Sequence, residues 1–188
     1  MSAAELVRSF VAVEVPVAVR QELTGLVEQL RSNTSLRVRW VRPEQMHLTL
    51  VFLGEVTPEF VAAAKGALAD VAVRVRPMEC QLAGCGAFPS LRRARVVWVG
   101  MERGKAELVN LQRLTSEGLS RIGYQPESRP FSAHLTLGRL REPADAGFLS
   151  SIEFQSSPFS VDRLVLFRSV LKPAGPEYSV LGEFKLSL

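Results

Sequence analysis

A chain of 188 residues, 47% hydrophobic and 22% charged, is long enough to bury a core and too apolar to remain disordered. No apolar run approaches the roughly 20 residues that cross a bilayer, and the opening MSAAELVRSFVAVEVP is broken by Glu5, Arg8 and Glu14 where a signal peptide needs an unbroken apolar stretch, so a cytoplasmic protein with no membrane partner is expected. The net charge is +4, and 19 of the 23 basic residues are arginine, whose planar fork suits phosphate; the balance favours an anionic partner but is too small for tight binding to long RNA.

Residues 9 to 15 (SFVAVEV) read as a strand, after which Pro16 opens a helix with Val19, Leu23, Leu26, Val27 and Leu30 on its buried stripe. Strands follow at 37 to 41 and 47 to 53, the second ending at Gly54. Thr57 and Pro58 form an N-cap and first helical position, and Phe60, Val61, Ala64, Leu68 and Val71 make that helix's apolar face. Strands are predicted near 78 to 84 and 95 to 100 (RVVWVG). A helix near 105 to 122 carries Leu108, Leu111, Leu119 and Ile122. The last strands fall at 134 to 138, 160 to 169 and 178 to 186, with loops at 84 to 90 and 172 to 176. Strands and helices without a strict βαβ rhythm indicate an α+β fold. Trp40 and Trp98 read as packing residues. Cys80 and Cys85, four residues apart, match neither a zinc motif nor a redox motif and read as core thiols.

One pattern is repeated. RPEQMHLTL (42 to 50) and RPFSAHLTL (129 to 137) agree at six of nine positions, and they hold the only two histidines, 87 positions apart. Half the chain echoes the other half, which predicts two lobes related by an approximate two-fold axis, mainly antiparallel sheets with helices outside, sharing a central cleft. The whole chain, residues 1 to 188, is then one bilobal unit. In a strand, residues two apart share a face. His47 and Thr49 therefore point one way and Leu48 and Leu50 the other, and His134 and Thr136 do likewise against Leu135 and Leu137.

Two imidazoles and two hydroxyls around one centre suit phosphodiester cleavage. One group deprotonates the attacking oxygen, another protonates the departing one, and an ordinary pKa near 6.5 fits histidine to both roles. Threonine hydroxyls can donate to the non-bridging oxygens, where negative charge collects. A single histidine on such a strand is more often structural; a duplicated pair with no other histidine in the chain is not. A metal shell would need carboxylates or thiols beside the histidines, and no H-E-x-x-H or acidic cluster accompanies either word. No G-x-S-x-G motif occurs, and no third group that would orient a histidine is recognisable.

The paired HLTL words, with RSFVAVEVP, WVRPEQMHLTLVFLGEV, GAFPSLRRARVVWVGM, RPFSAHLTLGR and RLVLFRSVLKPAGPEY, resemble the RNA 2',3'-cyclic phosphodiesterases, also called 2'-5' RNA ligases, of the 2H phosphoesterase superfamily. The likeness runs from about residue 8 to 186. It implies a bilobal α+β fold, no metal or other cofactor, and hydrolysis of RNA 2',3'-cyclic phosphate ends, or of small cyclic nucleotides, to 2'-phosphomonoesters by a monomer. Ligation through a 2'-5' link is the implied reverse reaction. Carried onto this chain, the site is His47, Thr49, His134 and Thr136, with Arg139 after the second word and Phe10 of the first strand near the nucleotide. Ser9 and Ala133 stand where a larger apolar residue and a proline are more usual. Strict alternation from His134 turns Arg139 to the opposite face, so it reaches the cleft only through an irregularity at Gly138. The direction assigned is His47 as acid and His134 as base. The alternative is a binding module that holds a nucleotide or RNA end in the same cleft without turnover.

Overall fold

The computed structural model describes residues 5–173 and 175–188. Its elements in chain order are β1 (Val7–Glu14), α1 (Val17–Ser32), β2 (Val38–Trp40), β3 (His47–Val56), α2 (Pro58–Ala72), β4 (Met78–Phe88), β5 (Ala94–Arg103), α3 (Lys105–Ser120), β6 (Leu135–Ala144), β7 (Phe159–Val161), β8 (Arg163–Lys172) and β9 (Gly175–Lys185). The helices carry the predicted stripes: Val19, Leu23, Leu26, Val27 and Leu30 are the buried residues of α1. The Thr57 hydroxyl accepts from the Phe60 amide at 3.2 Å and caps α2.

Two antiparallel sheets result, ordered β3-β1-β8-β9 and β2-β6-β5-β4-β7. Strand for strand, β3-β1-β8-β9 matches β6-β5-β4-β7, with β2 added at the edge. The unit β1-α1-β3 recurs as β5-α3-β6, which is how a duplicated sequence becomes two lobes of one α+β fold. Both sheets and all three helices contribute to one apolar core, including Val11 and Val13 of β1, Leu48 and Leu50 of β3, Leu68 of α2, Leu111 of α3, Val97 and Val99 of β5, and Leu135 and Leu137 of β6. The helices cover that side, so the histidine-bearing faces are left on the other.

Several boundaries differ from the sequence expectation. β3 runs past Gly54 to Val56, paired with Val7. β4 continues through the expected loop to Phe88, kinking by a register shift at Ala83/Cys85. The expected strand 160 to 169 is two strands in different sheets, because the chain leaves β4's edge at Asp162 and re-pairs with β1. The loop at 172 to 176 shrinks to a hairpin tip; of it, Ala174 lies outside the described residues, as do residues 1–4 of the opening segment. Cys80 is buried and Cys85 half-buried, both free, and burial pushes their thiols up to about 12 and about 11, as inert core sulfhydryls. No described helix is long and apolar enough to cross a membrane.

Candidate active site

The tetrapeptides alternate as their period demands. Leu48, Leu50, Leu135 and Leu137 are buried, while His47, Thr49, His134 and Thr136 are half-buried on the opposite face. Each word also ends in a bulge at the same place. Val11 and Ala12 pair with Val51 and Thr49, leaving Leu50 as the extra residue; Val97 and Trp98 pair with Gly138 and Thr136, leaving Leu137 extra. The second bulge is the irregularity that Arg139 needed. Leu137 and Leu140 both turn into the core, and Arg139 is exposed on the side of His134 and Thr136. Its charge acts on both His134 and the Tyr178 phenol. Phe52 holds the corresponding place after the first bulge and is 46% exposed.

Gly138 lets β2 lie close against β6, whereas the first bulge forms with Val51 in the corresponding place. A Cβ there would lie 2.5 Å from Val38 Cγ1 and 3.0 Å from Trp40 Cε3, so any side chain would push β2 off β6.

Each imidazole is held by backbone and by aromatic rings. His134 Nδ1 lies 2.7 Å from the Ser132 carbonyl; a carbonyl only accepts, so Nδ1 carries the proton and Nε2 keeps its lone pair. His47 makes the equivalent bond to the Gln45 backbone, also two residues upstream. These carbonyls are the orienting groups that sequence motifs could not reveal. Around His47 stand Phe10, stacked at 4.7 Å, and Tyr178, edge-on at 5.3 Å, with Phe167 behind. Around His134 stand Phe88 at 4.9 Å, edge-on, and Trp98 at 6.3 Å. Trp98 is therefore more than a packing residue: it is Thr136's cross-strand partner and shares the cleft face. Gly86 leaves room for its indole.

Phe10 is corrected. At 2% exposure it has no open face for a base, and its ring lies beneath His47. Phe52, 5.8 Å from Phe10, is the aromatic with a free face.

Burial disfavours the imidazolium at both centres. His47 is pulled down to about 4, the Gln45 bond opposing the shift. His134 is also lowered, by burial first, against the Ser132 bond, with Arg139's charge adding to the fall. Both rings are thus neutral in the free protein at pH 7. Tyr178 touches His47 and lies within reach of Arg139's charge, and Arg139 acts on His134, so one chain of groups spans the two lobes.

A model described as LigT like phosphoesterase matches this chain twice, at residues 13–98 and 99–178, one match per HLTL word. The chain belongs to the LigT-like phosphoesterases. Among the relatives of these phosphoesterases, the RNA 2',3'-cyclic phosphodiesterase of Methanothermobacter thermautotrophicus is 33% identical over 96% of this chain and 99% of its own. That of Archaeoglobus fulgidus is 33% identical over 95% and 99%. Among solved LigT-like structures, TT0787 of Thermus thermophilus superposes with a TM-score of 0.81 at 29% identity, covering 95% of this chain and 97% of that one. Escherichia coli LigT complexed with 3'-AMP gives 0.76 at 28% identity, covering 98% and 100%.

Proposed function

We propose that this LigT-like phosphoesterase hydrolyses RNA 2',3'-cyclic phosphate ends to 2'-phosphomonoesters without a metal, the whole chain acting as one bilobal monomer in the cytoplasm. The curated relatives carry RNA 2',3'-cyclic phosphodiesterase as their activity. The observation that carries the reading is the matched presentation of His47 and His134, each anchored by a carbonyl two residues back and flanked by its own threonine.

The substrate's phosphorus would sit between the lobes. His134, neutral and with Nε2 open, takes a proton from water as the water oxygen attacks phosphorus. The bond to the 3'-oxygen breaks in line, and His47 delivers the proton that oxygen needs. The product holds a 2'-phosphate and a 3'-hydroxyl. Thr49, Thr136 and Arg139 meet the non-bridging oxygens, and the terminal base stacks on Phe52. Arg139 beside His134 favours a neutral base there. His47, at about 4 in the free protein, acquires its proton as the phosphate's negative charge arrives. A 5'-hydroxyl in place of water attacks the same phosphorus in the same direction: His134 takes its proton, the bond to the 3'-oxygen breaks with a proton from His47, and a 2'-5' link forms beside a free 3'-hydroxyl.

Among the described residues no three His, Cys, Asp or Glu side chains converge in a way that could hold an ion. Incubation with a nucleoside 2',3'-cyclic phosphate, with the 2'- and 3'-monophosphates resolved, tests the proposal: a 2'-product formed at the same rate with EDTA supports it. Binding without turnover would favour the non-catalytic alternative, and an EDTA loss restored by zinc would overturn the metal-free mechanism.

A further inference from the structure

Beyond Arg139 the cleft face carries a second group of arginines. Arg39 on β2 is the cross-strand partner of Arg139 on β6, so the two guanidinium stems leave the same face side by side, about 5 Å apart at Cβ. Arg42 joins them. Arg39 Nη2 and Arg42 Nη2 lie 3.2 and 3.8 Å from where a Cβ on Gly175, at the β8-β9 hairpin tip, would stand. That tip is tied to the segment before His47, because the Gln45 side-chain amide donates to the Pro176 carbonyl. Among the described residues the ion pairs made by arginine use Arg103, Arg113, Arg163 and Arg168, and no carboxylate pairs with Arg39, Arg42 or Arg139. Like charges directly opposite on a sheet destabilise it. Three such charges gathered without a counter-ion fit a site whose ligand brings the negative charge.

We propose that Arg39 and Arg42 form a second phosphate site beside Arg139, which receives the phosphate on the 5' side of the terminal nucleotide while the 2',3'-cyclic phosphate lies between the histidines. The inference rests on reading the cleft as an RNA-end site and adds what that reading lacks: the enzyme tells an RNA end from a free cyclic nucleoside phosphate by one further phosphate. Two charge-assisted guanidinium contacts would raise affinity roughly ten- to a hundredfold.

The test compares wild type with an Arg39→Gln/Arg42→Gln variant. Calorimetric titration uses a nucleoside 3'-phosphate and the corresponding 3',5'-bisphosphate. Wild type is expected to bind the bisphosphate roughly ten- to a hundredfold tighter. The variant should bind both alike, with 3'-phosphate affinity unchanged. A charge-matched Arg74→Gln/Arg121→Gln variant, altered in the groove between α2 and α3, should keep the wild-type ratio. In turnover, a 5'-phosphate on the cyclic nucleotide and a dinucleotide bearing the same phosphate should both raise kcat/KM in wild type and neither in the Arg39→Gln/Arg42→Gln variant. The variant should unfold at a Tm no lower than wild type's, since repulsion is relieved; a merely structural pair would lower it. Equal binding of both ligands by wild type, a preference that survives the double substitution, or a gain with the dinucleotide alone overturns the proposal. Absence of any cyclic-phosphate turnover with the binding preference intact would remove the catalytic reading and leave the phosphate site standing.

Discussion

His47 and His134 occupy identical words and differ in their company. His47 lies among Phe10, Phe167 and Tyr178, and its pKa falls to about 4; His134 has Phe88, Trp98 and the Arg139 charge. Because kcat/KM reports the free enzyme, its bell against pH should peak on the acid side of 6.5, whichever ring is acid. A maximum above pH 7 would contradict the depressed pair. Phe10→Leu thins the ring packed under His47, so the imidazole's NMR titration should climb from about 4 toward 6.5. The same shift has a stability sign. A base whose folded pKa is lowered binds protons more readily unfolded, so stability is intact above 6.5 and is lost as pH falls from 6.5 toward 4. Thermal unfolding across that window should show the loss, and His47→Phe should flatten it. Phe52→Ala should raise KM for nucleotide substrates, by about 1–3 kcal/mol of lost stacking, with kcat nearly unchanged. The shared face of the four polar HLTL residues was legible because a period of two needs only local sequence. The aromatic shells were not: Trp98 meets Thr136 only through β5-β6 register, and Phe167 and Tyr178 arrive from the far end of the chain.

Two strands of equal design carry the histidines, and each bulges at the final Leu of its word. That shift puts Phe52 and Arg139 on the cleft face, where simple alternation would turn them inward. The sequence pointed to Gly138 as the place for an irregularity but could not say that one existed, since a bulge is a property of the pair of strands. Gly138→Ala sets a methyl 2.5 Å from Val38 Cγ1, so β2 must move and Arg139 with it. It should lower both Tm and kcat/KM, whereas Arg139→Gln should lower kcat/KM and leave Tm near wild type. Equal Tm in wild type and Gly138→Ala would show that β2 is free to yield. The split of residues 160 to 169 at Asp162 escaped notice for a related reason: both halves have strand composition, and only the sheet each joins separates them.

The sheets match strand for strand, and the family model matches each half of the chain once, so duplication is visible in words, in fold and in kinship. One core joins the lobes. Leu48→Ala and Leu135→Ala, one in each sheet, should each cost about 2–5 kcal/mol. Both should lower a single shared unfolding transition; separate transitions would mean that the lobes melt apart. Joining the lobes through a common core fixes how their histidine faces sit, the arrangement that the proposed catalysis requires. The most direct measurement is turnover of a nucleoside 2',3'-cyclic phosphate by His47→Ala, His134→Ala and the double variant. Each single change should slow 2'-phosphate formation by roughly 10² to 10⁴, and the double variant should be little slower than the worse single one, because acid and base serve one transition state. Wild-type rates in either single variant, or losses that multiply independently, would contradict paired catalysis across the cleft.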